Sequence, residues 1–480
     1  MHATLSIPDE LAAILRNTPE LTEAYLVGGC VRDALLGAEH KDFDIEVFGI
    51  GYEALAAVLA RWGRTDIVGR SFGVVKLSTV SGHVFDFSIP RRDSKVAPGH
   101  RGFAAEFDPS LTPKEAASRR DYTLNSLMWH PGRRELLDFF GAERDMRHRV
   151  LRHVSDAFVE DPLRVLRGMQ FCARFELVAA PETLALCQSI SGTFPELPVE
   201  RVREEWFKWA AKSARPSLGL KFLEDCGWLG HFPELRALRG CEQDPEWHPE
   251  GDVLNHTALC CDAMAELAEW RSADRELRAT LMLGILAHDF GKPSTTHRAE
   301  KDGRWRVVSP GHDEAGVAPA LEFMQRIGTP HVVRDRVVPL VKNHLAHLQA
   351  LSDRSVRRLA RRVAPATIAE LCLVMTADQF GRPPRPRIVS ESIQQLRRKA
   401  AEMQLQDAAP KPLLLGRHLI GLGLEPGTVF GLMLRRAFEA QLDGAFTDLP
   451  GAYRWLTENG AAELDPSQME KARFLGAEKD

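Results

Sequence analysis

The sequence predicts an α+β protein, with a small β-sheet and helices at its N-terminal end followed by an all-helical remainder. Three observations carry this expectation. Between residues 24 and 140, short β-rich runs (AYLV, FDIEVF, GVVKLS, HVFDFSI and ELLDFF) alternate with helical stretches such as 52–62. From about residue 150 the strand signals give way to helical periodicity, as at 162–175, 199–214 and 277–287. At 480 residues the chain is also too long for one ordinary domain.

The expected organisation is a head over 1–145, a helical neck over 146–240, a helical body over 241–380 and a helical tail over 381–480. Polar stretches at 239–251 and 381–387 read as linkers. The triplet Arg-Arg-Asp at 91–93 and 119–121 recurs only as a triplet, so no solenoid is indicated. With 44% hydrophobic and 27% charged residues, the composition is that of a folded soluble protein, and disorder is not the default reading. The opening MHATLSIPDELAAIL has no basic region followed by an apolar run, and no later segment reaches about 18 uninterrupted apolar residues. A cytoplasmic protein without a membrane segment is expected. The eight cysteines (30, 172, 187, 226, 241, 260, 261 and 372) show no C-x-x-C spacing, which argues for reduced, buried thiols and against a zinc ribbon or a disulfide framework. A net charge of −4 neither requires nor excludes a nucleic-acid partner, because a local basic stripe suffices.

Residues 25–37, YLVGGCVRDALLG, read as a strand, a turn at Gly28 and Gly29, and a short helix. Two glycines let backbone N–H groups approach a phosphate, and the helix start that follows favours negative charge. A triphosphate is the natural ligand, although a Gly-Gly pair alone serves equally as a tight connection. In KDFDIEV, Asp42 and Asp44 lie two apart in a strand-like run and share one face, about 6.6 Å apart. That spacing lets both carboxylates converge on a pair of divalent ions about 3.5–4 Å apart. Mg²⁺ suits such a site, since it prefers oxygen ligands and keeps waters that phosphates replace. Asp86, in HVFDFS, is a candidate third carboxylate on a neighbouring strand.

The ordered set GGCVRDALLG, KDFDIEVFG, GRSFGVVKL, RRDYTLNSL (119–127) and EDPLRVLR (160–167) resembles the class II tRNA nucleotidyltransferase and bacterial poly(A) polymerase family, over roughly residues 24–170. The resemblance implies a nucleotidyltransferase head, an all-α neck, an HD-type body and a tail that contacts tRNA. It also implies template-independent addition of C and A to the 3′ end of tRNA from CTP and ATP, with Mg²⁺ and release of pyrophosphate. Asp42 and Asp44 would be the catalytic, metal-binding carboxylates. Gly28, Gly29, Arg32, Arg120 and Arg167 would contact the nucleotide, with Arg119 an equal alternative to Arg120 on spacing alone.

In EDPLRVLR, Asp161 is expected as the N-cap of a helix with Pro162 at its first position, and Arg164 and Arg167 share a face. A capped helix with two solvated arginines accounts for these residue types. So does base reading, in which Asp161 accepts from an exocyclic amine while Arg164 donates to a ring nitrogen. Cytosine and adenine satisfy that pair, whereas uracil and guanine reverse donor and acceptor. The family's matching residues have this role. Where many relatives carry a further arginine, this chain has Gln170.

A second constellation lies downstream. The text WHPE…HT, AHDFGK and GHDEAG resembles the HD module attached to some members of the family. It implies His256, His288, Asp289 and Asp378 as ligands of a transition metal or Mg²⁺, with His312 and His344 completing a second position. Either phosphohydrolase activity or a tRNA-contacting body that merely retains the ligands follows. Residues 415–427 read as helix, Gly-rich turn and helix, suited to a nucleic-acid clamp or to plain packing. Arginines 357, 358, 361 and 362 make a basic face that tracks phosphates or is simply solvated. Partial CC- or A-addition, poly(A) synthesis, and an HD phosphohydrolase with a nucleotide-sensing head stand as alternatives. The run GRSFGVV sits closer to the tRNA enzymes.

Overall fold

A computed structural model describes residues 5–37, 42–66, 73–95, 103–301, 303–460 and 463–477. Residues 69–72 of the GRSFGVV run and Lys41 lie outside them. The chain divides into two compact units, 1–233 and 234–480.

The first unit is built on a seven-stranded sheet. Its order from edge to edge is Gly63–Asp66, Val74–Thr79, Val84–Ser88, Asp44–Val47, Ala24–Val27, Met128–His130 and Glu135–Leu137. Neighbours are antiparallel except for Asp44–Val47 and Val84–Ser88, which run parallel with Asp44 opposite Asp86. The period of two in each strand sorts residues between the faces. Ile45, Val47, Val75, Leu77, Phe85 and Phe87 enter the main core together with Leu11 and Ile14 of helix Asp9–Arg16 and Leu55 and Val58 of helix Tyr52–Leu59. Tyr25, Val27 and Met128 face the other way and meet Ala116 and Ala117 of helix Pro113–Ser118, which starts with a capping box between Thr112 and Glu115. Asp44, Glu46 and Asp86 therefore stand on the face opposite the main core.

Helices Leu163–Phe175, Val199–Lys212 and Pro216–Asp225 follow and pack together around Trp206, Trp209 and Phe222. The head boundary expected at 145 falls inside helix Ala142–Arg147.

In the second unit, helices Val253–Glu266, Arg275–Ala287, His331–Asn343 and Ile368–Phe380 pack together. A hairpin of His297–Lys301 and Arg304–Val308 interrupts a region expected to be wholly helical. Its strands are largely exposed, so the apolar alternation that reveals a half-buried strand is missing. The tail helices share a separate apolar cluster that includes Leu419, Met433, Tyr453 and Leu456. The arginines expected to form a basic face are largely engaged by the tail. Arg358 pairs with Asp443, Arg357 Nε donates to Leu442 O at 3.0 Å, and Arg361 lies 4.6 Å from the Phe438 ring. No helix among the described residues is long and apolar enough to cross a membrane. Of the eight cysteines, seven are buried and Cys241 is half-buried, all as free thiols.

Candidate active site

Gly28 ends the strand Ala24–Val27 with φ +69°, a backbone region that favours glycine, and helix Gly29–Leu35 begins at the next residue. A Cβ at Gly28 would lie 3.1 Å from Arg120 Nη1, so the turn also leaves room for that guanidinium. Arg32, one turn into the helix, is buried; its Nη1 donates to Asn125 Oδ1 at 2.6 Å and its guanidinium lies 4.6 Å from the Phe175 ring.

The strand expected to hold both catalytic carboxylates begins at Asp44, and Asp42 lies just before it, exposed. The register sets Asp86 directly across from Asp44, with Lys76 Nζ 3.3 Å from the Asp86 carboxylate. Glu46, on the same face, is paired with Arg120 at 2.9 Å. Crowding by surrounding protein raises the Asp44 carboxyl above its ordinary value; Asp86 and Asp42 add to this and Arg120 opposes it. Asp86 Oδ1 is buried without a hydrogen bond. Clustered carboxylate oxygens of this kind fit a hard divalent cation such as Mg²⁺.

Helix Leu163–Phe175 starts one residue later than expected, with Pro162 at its N-cap. Asp161 nevertheless caps it, Oδ1 accepting from the Leu163 N–H at 3.1 Å. Arg164 is buried rather than solvated, and donates to Ala157 O and Arg119 O, each at 2.7 Å. Each Nη still carries a second N–H. Arg167 Nε donates to Asp121 Oδ2 at 2.6 Å. Gln170, at 3% exposure, has an Oε1 with no hydrogen bond.

The Gly28–Gly29 turn, Arg32, Asp44, Arg119, Arg120, Asp161, Arg164, Arg167 and Gln170 all line one cleft of about 550 Å³. The cleft also takes in Asp121, Asn125, Arg174, Arg201, Lys208 and Lys212, which sequence reasoning missed. Arg201, Lys208 and Lys212 come from helix Val199–Lys212, where no motif marks them. Their spacing of seven and four, which puts all three on one helix face, was the available signal.

The second unit gathers the HD-type residues. His256, Cys260, His288 and Asp378 form one group, and Asp289, His312 and His344 another, each with ligand atoms within 4.8 Å of one another. Every one of the four histidines has its Nδ1 tied outward. His288, His312 and His344 meet the carbonyls of Ile285, Ser309 and Val341 at 2.7 Å, and His256 meets Glu250 Oε1 at 2.7 Å. The Nε2 atoms turn inward, and His288 Nε2, buried, has no hydrogen bond. Orientation of imidazoles through Nδ1 is the usual support of a metal site, so the residues fit a bound ion. Burial works against ionising Asp289 and Asp378. The charges of His288 and Lys292 on the first, and of Arg382 with a hydrogen bond from His256 on the second, hold both well below the ordinary carboxylate range. Burial, with the charge of His288, pushes His344 down to about 3.

The family model for the poly A polymerase head domain matches residues 24–152, and that for the HD domain matches 253–382. The multifunctional CCA protein of Xanthomonas campestris pv. campestris strain B100 is 38% identical over 371 residues, covering 75% of this chain and 85% of that protein. The chain belongs to the multifunctional CCA protein family. A second member, from Halorhodospira halophila, is 37% identical over 369 residues, covering 76% of this chain and 80% of its own length. The family fold is also that of a Bacillus stearothermophilus CCA-adding enzyme in complex with CTP (TM-score 0.63, 20% identity, 95% of this chain and 99% of that one). A Thermotoga maritima CCA-adding enzyme complexed with tRNA has it too (TM-score 0.57, 18% identity, 98% and 96% coverage).

Proposed function

We propose that this chain is a tRNA nucleotidyltransferase that adds C, C and A to the 3′ end of tRNA from CTP and ATP, releasing pyrophosphate. The observation that carries this is the convergence of the Gly28 turn, the Asp44 carboxylate and the Asp161–Arg167 helix start on one arginine-lined cleft, with Asp86 in register beside Asp44. The names of the relatives support the same activity.

In this proposal Asp42 and Asp44, with Asp86, would hold divalent cations, Mg²⁺ by their oxygen donors, and these would neutralise the triphosphate and acidify the RNA 3′-hydroxyl. The Gly28–Gly29 turn, whose Gly28 N–H is taken by Leu127 O, offers the backbone N–H of Gly29, and the side chains of Arg32, Arg120 and Arg167 bind the phosphates with it. Asp161 accepts from the exocyclic amine of C or A, and a free N–H of Arg164 donates to the adjacent ring nitrogen. The 3′-oxygen, its proton released to solvent, bonds to the α-phosphorus as the bond to pyrophosphate breaks, and the protein's part is to hold these groups in line. The four segments read from the sequence, with the tail contacting tRNA, and a cytoplasmic location belong to the same proposal.

Incubation with tRNA lacking CCA, and separately with tRNA ending in CC, while CTP or ATP is supplied singly, tests it. CTP enters the first substrate and ATP the second. Incorporation of CTP into neither overturns the assignment, and runs of A on both point to poly(A) synthesis.

The inward Nε2 atoms of His256, His288, His312 and His344 favour a second activity in the second unit, hydrolysis of cyclic or 3′-phosphate RNA ends by a metal site that includes Asp289 and Asp378. It is expected to survive Asp42→Ala with Asp44→Ala and to vanish in His288→Ala. Hydrolysis lost with the head carboxylates instead refutes it.

A further inference from the structure

Cys260 is one of the four residues of the first cluster, and a thiol changes what such a cluster selects. It lies one helical turn after His256 in helix Val253–Glu266, so both project from the same face. Its Sγ is 3.4 Å from His256 Nε2 and 3.6 Å from the backbone oxygen of Asp378. His256 Nε2 is in turn 3.1 Å from Asp378 Oδ1, and His288 Nε2 is 3.8 Å from the same oxygen. A tetrahedral ion with bonds of about 2.0–2.3 Å needs ligand atoms about 3.3–3.8 Å apart; these three side-chain separations, at 3.4, 3.1 and 3.8 Å, lie close to that, and all four ligand atoms fall within 4.8 Å of one another.

Two further features bear on the thiol. Residue 381 packs against it so closely that a Cβ there would lie 2.3 Å from Sγ, and only glycine leaves Sγ where it is. Arg382 Nη2 bonds Asp378 Oδ1 at 2.6 Å, bringing a positive charge to a pocket that would hold a carboxylate and a thiolate side by side. The buried His288 Nε2 aims into the same space, 3.2 Å from Asp289 Oδ2 and 3.8 Å from Asp378 Oδ1.

We propose that Cys260 is a metal ligand, completing a His256–Cys260–His288–Asp378 site that takes Zn²⁺ or another thiophilic transition ion in preference to Mg²⁺. A soft sulfur donor beside two imidazoles favours such ions, whereas Mg²⁺ requires oxygen donors in octahedral array. Binding exchanges the Sγ–H bond for a sulfur–metal bond, and the proton leaves to solvent. Asp289, adjacent in sequence to His288, stands between the two groups: its Oδ1 is 3.3 Å from His312 Nε2, and its Oδ2 is 3.2 Å from His288 Nε2 and 3.6 Å from His256 Nε2. The inference rests on the metal reading of this cluster.

Co²⁺ titration of the full chain, freed of metal by a chelator, tests it. A near-ultraviolet thiolate-to-cobalt charge-transfer band is expected in the wild type and in Cys261→Ser, whose thiol is outside the cluster. Cys260→Ser and Cys260→Ala, checked for fold by circular dichroism, should still take up Co²⁺ in equilibrium dialysis but lose the band. Zn²⁺ affinity should fall at least about 10-fold in both, with Mg²⁺ affinity within about 2-fold of wild type. Co²⁺ bound without the band, or a band that persists in both Cys260 variants, overturns the assignment of Cys260 and leaves the metal site standing. No Co²⁺ or Zn²⁺ bound by the wild type overturns the metal reading itself.

Discussion

Arg201 holds both carboxylate oxygens of Asp161, with Nη2 2.8 Å from Oδ2 and Nη1 3.3 Å from Oδ1. The fork fixes the plane of the carboxylate; Oδ1 also accepts from the Leu163 N–H, so Oδ2 is the oxygen that keeps a lone pair for a base amine. Arg201→Ala is expected to lower kcat/KM for CTP about 10-fold and to raise UTP misincorporation. Arg201→Lys should fall between, because lysine keeps the charge and loses the fork. Asp161→Asn, which swaps an acceptor for a donor, is expected to cost about 100-fold or more in discrimination against UTP. Unchanged base selection in Arg201→Ala refutes the positioning role.

Asp86 is the in-register partner of Asp44 across a parallel pair of strands. If the two share a cation, Asp86→Asn should raise the Mg²⁺ concentration for half-maximal transfer and lower the rate about 100-fold, while Asp44→Asn should cost about 1,000-fold or more. Chelation by EDTA abolishes transfer in every case. An Asp86→Asn enzyme with the wild-type Mg²⁺ dependence would confine that residue to its pairing with Lys76.

Gly168 sits in the middle of helix Leu163–Phe175, where a Cβ would come within 2.8 Å of Phe222 Cζ and closer still to Tyr122 Oη. Tyr122 Oη is fixed by donating to Arg164 O at 2.8 Å, so it has little freedom to move aside. Overpacking of this kind costs about 1–3 kcal/mol, against a helix-propensity gain of about 1 kcal/mol. Gly168→Ala is therefore expected to unfold at a lower urea midpoint. A higher midpoint shows that the propensity gain wins.

The head was legible because its chemistry is written in local patterns. Gly28, Gly29, Asp42 and Asp44 fall within one strand–turn–helix–strand passage, and alternation alone puts Asp44 on the face away from the Ile45 core. Asp86 was readable as a candidate third carboxylate on a neighbouring strand, but its direct register with Asp44 was not, since register between strands 40 residues apart is set by the whole sheet. The partners of Asp161 and Arg167 escaped for a similar reason. Asp121 lies inside a motif read for its arginines, and Arg201 lies on a helix with no motif at all. For Arg164 the sequence left a solvated helix residue and a base reader as alternatives; it is buried, because the carbonyls of Ala157 and Arg119 that satisfy it come from segments that precede its own helix. In the second unit, spacing alone gave no means of choosing Cys260 among eight cysteines.

Asp121 is the last residue with a measurable signature. It is buried, and Arg167, Asn125 and the Tyr122 N–H all converge on it. Burial opposes its ionisation, but the charge of Arg167 and these hydrogen bonds outweigh burial and hold the carboxyl below its ordinary value. A carboxyl depressed in the folded state stabilises the fold in full above its unfolded pKa of about 3.9, and that contribution drains away as pH falls toward the folded value. Asp121→Asn leaves the Arg167 guanidinium without its counter-charge and is expected to cost about 2–4 kcal/mol at neutral pH. Below about pH 4 the gap should narrow, because the wild type loses a contribution the variant never had. Urea midpoints of both proteins between about pH 7 and pH 2.5 measure this. Curves that stay parallel through the acid range would show that Asp121 does not carry the linkage.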